Sequence, residues 1–468
     1  MNGQLIYAFL CLAAAEDTPR GKAVPVEGMK LIAALAHKHG IPVTWVTDSR
    51  SIESSKGIIL QGHLECNDDV AVLIDLDSVL KEQAFERSLR ASVPGSDVVP
   101  SSKAEEIVIL RQKLPELILS EQSKIREMLP WAEANVVAAD SKTETLIQIL
   151  EDLDCIGLWG YRWWDVETDR GCPWSFFYAS RDHCNAPASY AGKVVAIEST
   201  ALDLNAVFHS GNTHVFSANP GALGMSGLCS GEDIAYGKAL LGEYIKNCSW
   251  NRFLIFIQQQ SACGMEYARY GEYHEGTIAR TANIMDGFFR EVTSSPDIKV
   301  LNLPQAIQLY GGKFELTESC CMAFDSVVPP HVDINFYVPP VPNQKPPYPF
   351  TFFYYDRECQ LIFREGQMTP VEVRNYARPP SESRYYVEKE MPLISGFHPS
   401  RDRDKLILEF EIESAKRMPF GLAIWDDHSM FSLVSTNARL VKWIGTHLLF
   451  IRIDLEEGLN RVEVSLTI

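Results

Sequence analysis

The chain has 468 residues, 46% of them hydrophobic and 22% charged, with a formal net charge of −18 at pH 7. That composition is globular and excludes wholesale disorder. The acidity argues against a non-specific binder of nucleic acid or anionic membranes, because such proteins need a basic face to displace counterions.

Eleven cysteines form an odd, unframed set with Cys320 and Cys321 adjacent and no Cys-x-x-Cys, which fits reduced thiols and a cytoplasmic protein. The run Leu5–Ala15 has the look of a signal-peptide core, but no Lys or Arg precedes it. It is also too short to span a bilayer, so Leu5–Leu12 is predicted to be a buried first strand.

Strand-like and helix-like stretches then alternate. Val26–His39 has helical periodicity and stops at Gly40, and Ile41–Thr47 is β-rich and ends at Asp48. Val70–Leu76 is a strand holding Asp75 and followed by Asp77, Ser102–Glu127 a long amphipathic helix, and Asn135–Ala139 a strand ending at Asp140. Thr143–Leu153 reads as helix, Ile156–Gly160 and Val194–Glu198 as strands, and Ile234–Lys246 as helix. Phe253–Ile257 is a strand running into Gln258–Gln260, Thr277–Glu291 a helix, and Val300–Leu303 a last short strand. Such alternation implies βαβ units and a mainly parallel sheet, and with seven or eight units a closed α/β barrel is expected rather than an open sheet. No Gly-x-Gly-x-x-Gly follows the first strand and no P-loop occurs, so dinucleotide and nucleoside-triphosphate readings are disfavoured.

Val327–Pro349 is proline-rich and cannot be regular helix or central strand. Beyond it lie short β-like runs: Phe350–Tyr355, Leu361–Arg364, Leu406–Ile412, Gly421–Trp425, Leu448–Ile453 and Asn460–Leu466. They predict an antiparallel β-sandwich. Residues 1–315 are therefore read as the barrel and 325–468 as an accessory β-domain.

In a barrel the strand ends and the loops after them carry the chemistry. Those ends offer Glu16 and Asp17, Asp48, Asp75 and Asp77, Asp140, the block Trp159–Asp165, Glu198 and Gln258–Gln260. Carboxylates facing one cavity repel, so one keeps its proton as a general acid or a cation bridges them. Asp48, Asp75, Asp77, Asp169 and Glu198 are taken as the catalytic candidates. Trp159, Trp163 and Trp164 would wall a ligand pocket; Arg170, His183, Gln258 and Gln260 would orient polar groups. His209 and His214, in a predicted loop after the Glu198 strand, are spaced to chelate a divalent metal with a carboxylate. His63 and Glu65, with Asp68–Asp69, form another predicted loop cluster, and His37 and His39 read as helix-end caps. No His-Glu-x-x-His and no Gly-x-Ser-x-Gly elbow is present.

HGIPVTWVTD (His39–Asp48), LWGYRWWDVETDRGCPWSFFYAS (Leu158–Ser180), AIESTALDLNAVFHSGN (Ala196–Asn212) and FLIFIQQQ (Phe253–Gln260) together resemble a branch of the polysaccharide deacetylase-like group, within the glycoside hydrolase/deacetylase superfamily. The resemblance covers roughly residues 1–310. It implies a distorted (β/α)7 barrel in which an Asp and two His hold a divalent metal that activates water against an N-acetyl group, with an Asp as base. This chain departs from that pattern: its strand ends read AAAEDT, LIDLDS and VVAADS, and Gln258–Gln260 stand where a His is common.

The expected function is hydrolysis of a C–N or glycosidic bond in a sugar-like or small cyclic substrate. A non-hydrolytic cyclase or isomerase, a divalent-metal deacetylase with a rebuilt Asp/His set, and a catalytically inactive carbohydrate-binding protein are the alternatives. No cofactor other than a divalent metal is implied, and a homodimer is left open.

Overall fold

The computed structural model describes residues 3–18, 21–81, 103–140, 142–160, 175–184, 186–197, 200–210, 216–221, 232–267, 275–325, 350–365, 372–374, 392–425, 432–444 and 448–467. The chain opens with β1 (Leu5–Leu12) and a small hairpin, β2 (Glu16–Thr18) and β3 (Gly21–Ala23), followed by α1 (Val26–His37) and β4 (Val43–Thr47). Next come α2 (Ser49–Cys66), β5 (Asp69–Ile74), α3 (Lys103–Met128), β6 (Val136–Ala139), α4 (Glu144–Asp152), β7 (Gly157–Gly160), β8 (Phe177–Tyr178) and β9 (Val195–Ile197). Then follow α5 (Leu204–Ser210), α6 (Glu232–Asn247), β10 (Leu254–Ser261), α7 (Glu275–Ser294), β11 (Ile298–Val300) and α8 (Leu303–Gly311).

These strands form one sheet in the order β10-β1-β4-β5-β6-β7-β9-β8, with β11 also pairing β1. All its pairings are parallel except β8 with β9. From β1 through β4, β5, β6 and β7, neighbours in space follow chain order, as short helical crossovers favour. The sheet is a curled half-barrel rather than the closed barrel expected. Among the described residues no ladder joins β9 to β10, and the Ala201 amide bridges to the Ile257 carbonyl at 2.8 Å instead.

Period-two alternation gives each strand two faces with different partners. Tyr7, Phe9 and Cys11 turn outward with the apolar sides of α1, α2, α3 and α7. Ile6, Ala8 and Leu10 turn inward with Val46, Ala71, Ala138, Trp159, Ile197 and Ile257. The inner hollow is not empty: Leu303, Ala306, Ile307 and Tyr310 of α8 pack into the same cluster. The Leu303 amide donates to Thr44 Oγ1 at 2.8 Å. Gly157 makes this approach feasible, because a Cβ there would lie 2.3 Å from Ile307 Cδ1.

Three expectations change. His63 and Glu65 lie on α2, not in a loop. Its Ser-rich, weakly apolar sequence hid the helix, although Asp48 caps it by accepting from the Ser51 amide at 2.8 Å. The strand expected at Val300–Leu303 ends at Val300, and Asn302 caps α8 with Pro304 in its first turn. His209 lies on α5 rather than in a loop.

Beyond residue 320 the strands are antiparallel, in three sheets. The first is β12 (Cys320–Phe324), β13 (Thr351–Asp356) and β14 (Leu361–Glu365). The second is β15 (Glu372–Arg374), β18 (Met418–Trp425), β21 (Leu448–Leu455) and β20 (Leu440–Ile444). The third is β16 (Leu393–Asp402), β17 (Lys405–Ser414), β22 (Gly458–Thr467) and β19 (Ser432–Thr436). Residues from all three meet in one apolar cluster, and β17 shows why: Leu408, Phe410 and Ile412 are buried while Glu409 and Glu413 between and beside them are exposed. Two carboxamides near the end of α6 fasten this region to the helical layer. Asn247 exchanges hydrogen bonds with the Ala323 amide (2.7 Å) and carbonyl (3.0 Å), and Asn251 does the same with Cys321 (2.8 and 2.6 Å). They pair with β12 as a neighbouring strand would. No helix among the described residues is long and apolar enough to cross a membrane.

Candidate active site

The carboxyl edge of the parallel sheet gathers acidic side chains from separate βα units. Asp48 continues the face of Val46, Asp75 that of Ala71 and Leu73, and Asp140 that of Val136 and Ala138. The register pairs Ile74 with Ala139, so Asp75 and Asp140 follow at the same level on adjacent strands, about 4.8 Å apart along the sheet. Thr47 pairs with Val72, which places Asp48 about two residues lower on the next strand.

Asp140 is 1% exposed. Its carboxylate accepts from the amides of Leu76 (2.7 Å) and Asp77 (3.1 Å). Burial raises its pKa above the ordinary aspartate value; the two amides oppose that, and the charges of Asp75 and Asp77 add to it. Asp75 is exposed and accepts from the Ser78 amide (2.8 Å) and hydroxyl (2.7 Å). The result is a buried acid of raised proton affinity beside a solvent-facing carboxylate. Across the edge, Ser261 at the end of β10 donates to Glu16 Oε1 at 2.7 Å.

Other residues singled out from the sequence fall elsewhere. Trp159 is fully buried in the inner cluster. Gln258 faces outward: its Oε1 accepts from Tyr7 Oη at 2.6 Å, and the Tyr7 ring packs on Phe256 and Phe288. By alternation Gln260 shares that face, and Gln259 lies on the inner one with Ile255 and Ile257. Strand periodicity alone could have selected Gln259.

His183 is half-buried, its Nδ1 without a hydrogen-bond partner. His209 is buried, with Nε2 3.0 Å from Thr351 Oγ1, so it joins α5 to β13. Among the described residues no three His, Cys, Asp or Glu side chains are grouped to hold a metal ion. Trp163, Trp164, Asp169, Arg170, Glu198 and His214 lie outside the described residues. Phe176, further along the same Trp-rich stretch, is core: it stacks on Tyr310 at 5.2 Å and meets Phe253 edge-on at 5.1 Å.

Asp140 belongs to the strand-end acids visible in the sequence but not to the catalytic set chosen from them. What distinguishes it is burial and register with Asp75, and both are set by β5–β6 pairing.

No protein-family model matches the sequence, and no curated protein matches it. Among solved structures, a probable polysaccharide deacetylase from Pseudomonas aeruginosa PAO1 aligns at TM-score 0.40 and 8% identity, covering 68% of this chain and 94% of that one. A 4-alpha-glucanotransferase from Thermococcus litoralis aligns at TM-score 0.38 and 7% identity over 100% of both chains. Likeness at this level says nothing about chemistry, which has to be argued from the side chains.

Proposed function

We propose that the chain is an enzyme whose site lies at the carboxyl edge of the parallel sheet, hydrolysing a C–N or glycosidic bond of a sugar-like or small cyclic substrate. One observation carries this reading: Asp140 and Asp75 stand level on adjacent strands, the first buried with its pKa raised and the second open to solvent. A buried acid of raised proton affinity level with an exposed carboxylate is a pairing that acid/base bond cleavage can use. Asp140 supplies the proton to the leaving group. Asp75, with Asp77 beside it, accepts a proton from water or steadies positive charge at the reacting carbon. We read residues 1–315 as a distorted (β/α)7-type barrel, curled rather than closed, that carries the site, and residues 325–468 as a β-sandwich accessory domain.

The test is turnover by the full chain on a panel of aryl glycosides and N-acetylated sugars, with and without a chelator. Hydrolysis that Asp75→Asn lowers supports the reading. Absence of turnover across the panel overturns it, as does full activity in both Asp75→Asn and Asp140→Asn. Activity abolished by the chelator transfers the chemistry to a metal-dependent mechanism.

A further inference from the structure

A cleft of about 540 Å³ lies outside the sheet, between α3, α4 and the segment after β8. None of the strand-end carboxylates lines it. Its floor is Pro115, Thr145 and Ile149, and its walls carry Arg111, Asp152, Arg181, Asp182 and Tyr190. The volume falls in the range of small-molecule sites, roughly 300–1,000 Å³.

The walls are held by a chain of hydrogen bonds. Arg111 Nη2 donates to Gln148 Oε1 (2.9 Å), Gln148 Nε2 to the Arg181 carbonyl (2.9 Å), and the Arg181 amide to Tyr190 Oη (2.8 Å). Both backbone polar groups of Arg181 are thus fixed while its guanidinium is only loosely engaged. Its Nε is 3.4 Å from Glu151 Oε2 and its Nη2 3.6 Å from Asp152 Oδ1, longer than the roughly 2.7–2.9 Å of a charge-assisted hydrogen bond. Glu151 Oε1 is buried without a hydrogen-bond partner. A second opening lies in α3. Pro115 sits inside that helix and has no amide hydrogen, so the Arg111 carbonyl cannot receive its usual bond from four residues on. Two residues lining the cleft therefore sit at a break in the helix ladder.

Two guanidinia and two carboxylates line the cleft. A simple anion or cation would meet repulsion from one pair, whereas a dipolar molecule satisfies both. We propose that the cleft binds a small zwitterion of the amino-acid class with an apolar side chain. Its carboxylate lies toward Arg111 and Arg181, its ammonium toward Asp152 and Asp182, and its side chain on Pro115 and Ile149.

The experiment is titration calorimetry of the full chain with L-leucine, N-acetyl-L-leucine and L-leucinamide, each up to about 10 mM, a range that covers weak millimolar binding. L-Leucine should bind, and the two charge-deleted analogues should bind at least about tenfold more weakly, as expected for losing a charge-assisted contact. Arg111→Gln and Asp182→Asn, both at exposed side chains, should each weaken L-leucine by a similar factor. No heat from L-leucine, equal binding of all three compounds, or affinity unchanged in both variants overturns the proposal.

Discussion

Asp68 and Asp140 are both 1% exposed and stand at opposite edges of one sheet. Asp68, at the amino edge, is surrounded by donors. It accepts from the Val43 amide (2.8 Å), Trp45 Nε1 (2.7 Å) and His37 Nε2 (3.0 and 3.1 Å). The neighbouring helix must carry Gly62 to admit it, since a Cβ there would lie 2.0 Å from Asp68 Oδ2. Asp140, at the carboxyl edge, accepts two amides but faces the like charges of Asp75 and Asp77. Burial is the same for both; the sign of the surroundings is not. A carboxylate encircled by donors pins structure, whereas one set against other carboxylates is poised to exchange a proton.

That contrast can be broken most sharply by Asp140→Asn, which should lower kcat/KM by about 10³, within the range for losing a general acid, with little change in the urea midpoint. If turnover stays within tenfold of the parent chain, the carboxyl edge is as structural as the amino edge. Asp68→Ala should do the reverse. Orphaning the Val43 amide and the Trp45 indole N–H costs about 3 kcal/mol in urea unfolding, while the folded fraction keeps its activity.

A third buried aspartate, Asp203, extends the comparison: it accepts from the Ala206 amide and from Tyr236 Oη, yet burial still pushes its pKa up to about 6. A folded pKa above the unfolded one means that its stabilising share is complete below about pH 4 and is lost as the pH climbs through about 6. Asp203→Asn should flatten that stretch of the stability curve by about 3 kcal/mol. Asp48→Ala removes the α2 cap and should cost about 1 kcal/mol in thermal unfolding. A fall in turnover beyond about tenfold would add Asp48 to the site.

In the first half β1, α1 and α3 were legible, and their ends agree with the sequence reading to within about two residues. α2 was not, because Ser49, Ser51, Ser54, Ser55 and Gly57 fill its first half with residue types that favour caps and turns. α8 was not foreseen in the hollow, because Leu303–Gly311 reads as another amphipathic stretch until Gly157 and Thr44 show what it packs on. At the site, the acidic strand ends were visible one by one. Their relative levels depend on β-register between residues some 65 apart, which periodicity within a single strand does not report.

The place of β1 has a consequence for synthesis. It lies between β4 and β10, so during synthesis this strand waits for residues 254–261 before its second edge is covered. A nascent or truncated chain ending short of that point presents eight consecutive apolar residues, Leu5–Leu12, with the row that β10 covers open along its length and the row that β11 covers open at Leu5–Tyr7. Such an edge invites pairing with other chains, so C-terminal truncations that stop before β10 should appear as inclusion bodies rather than as smaller folded units.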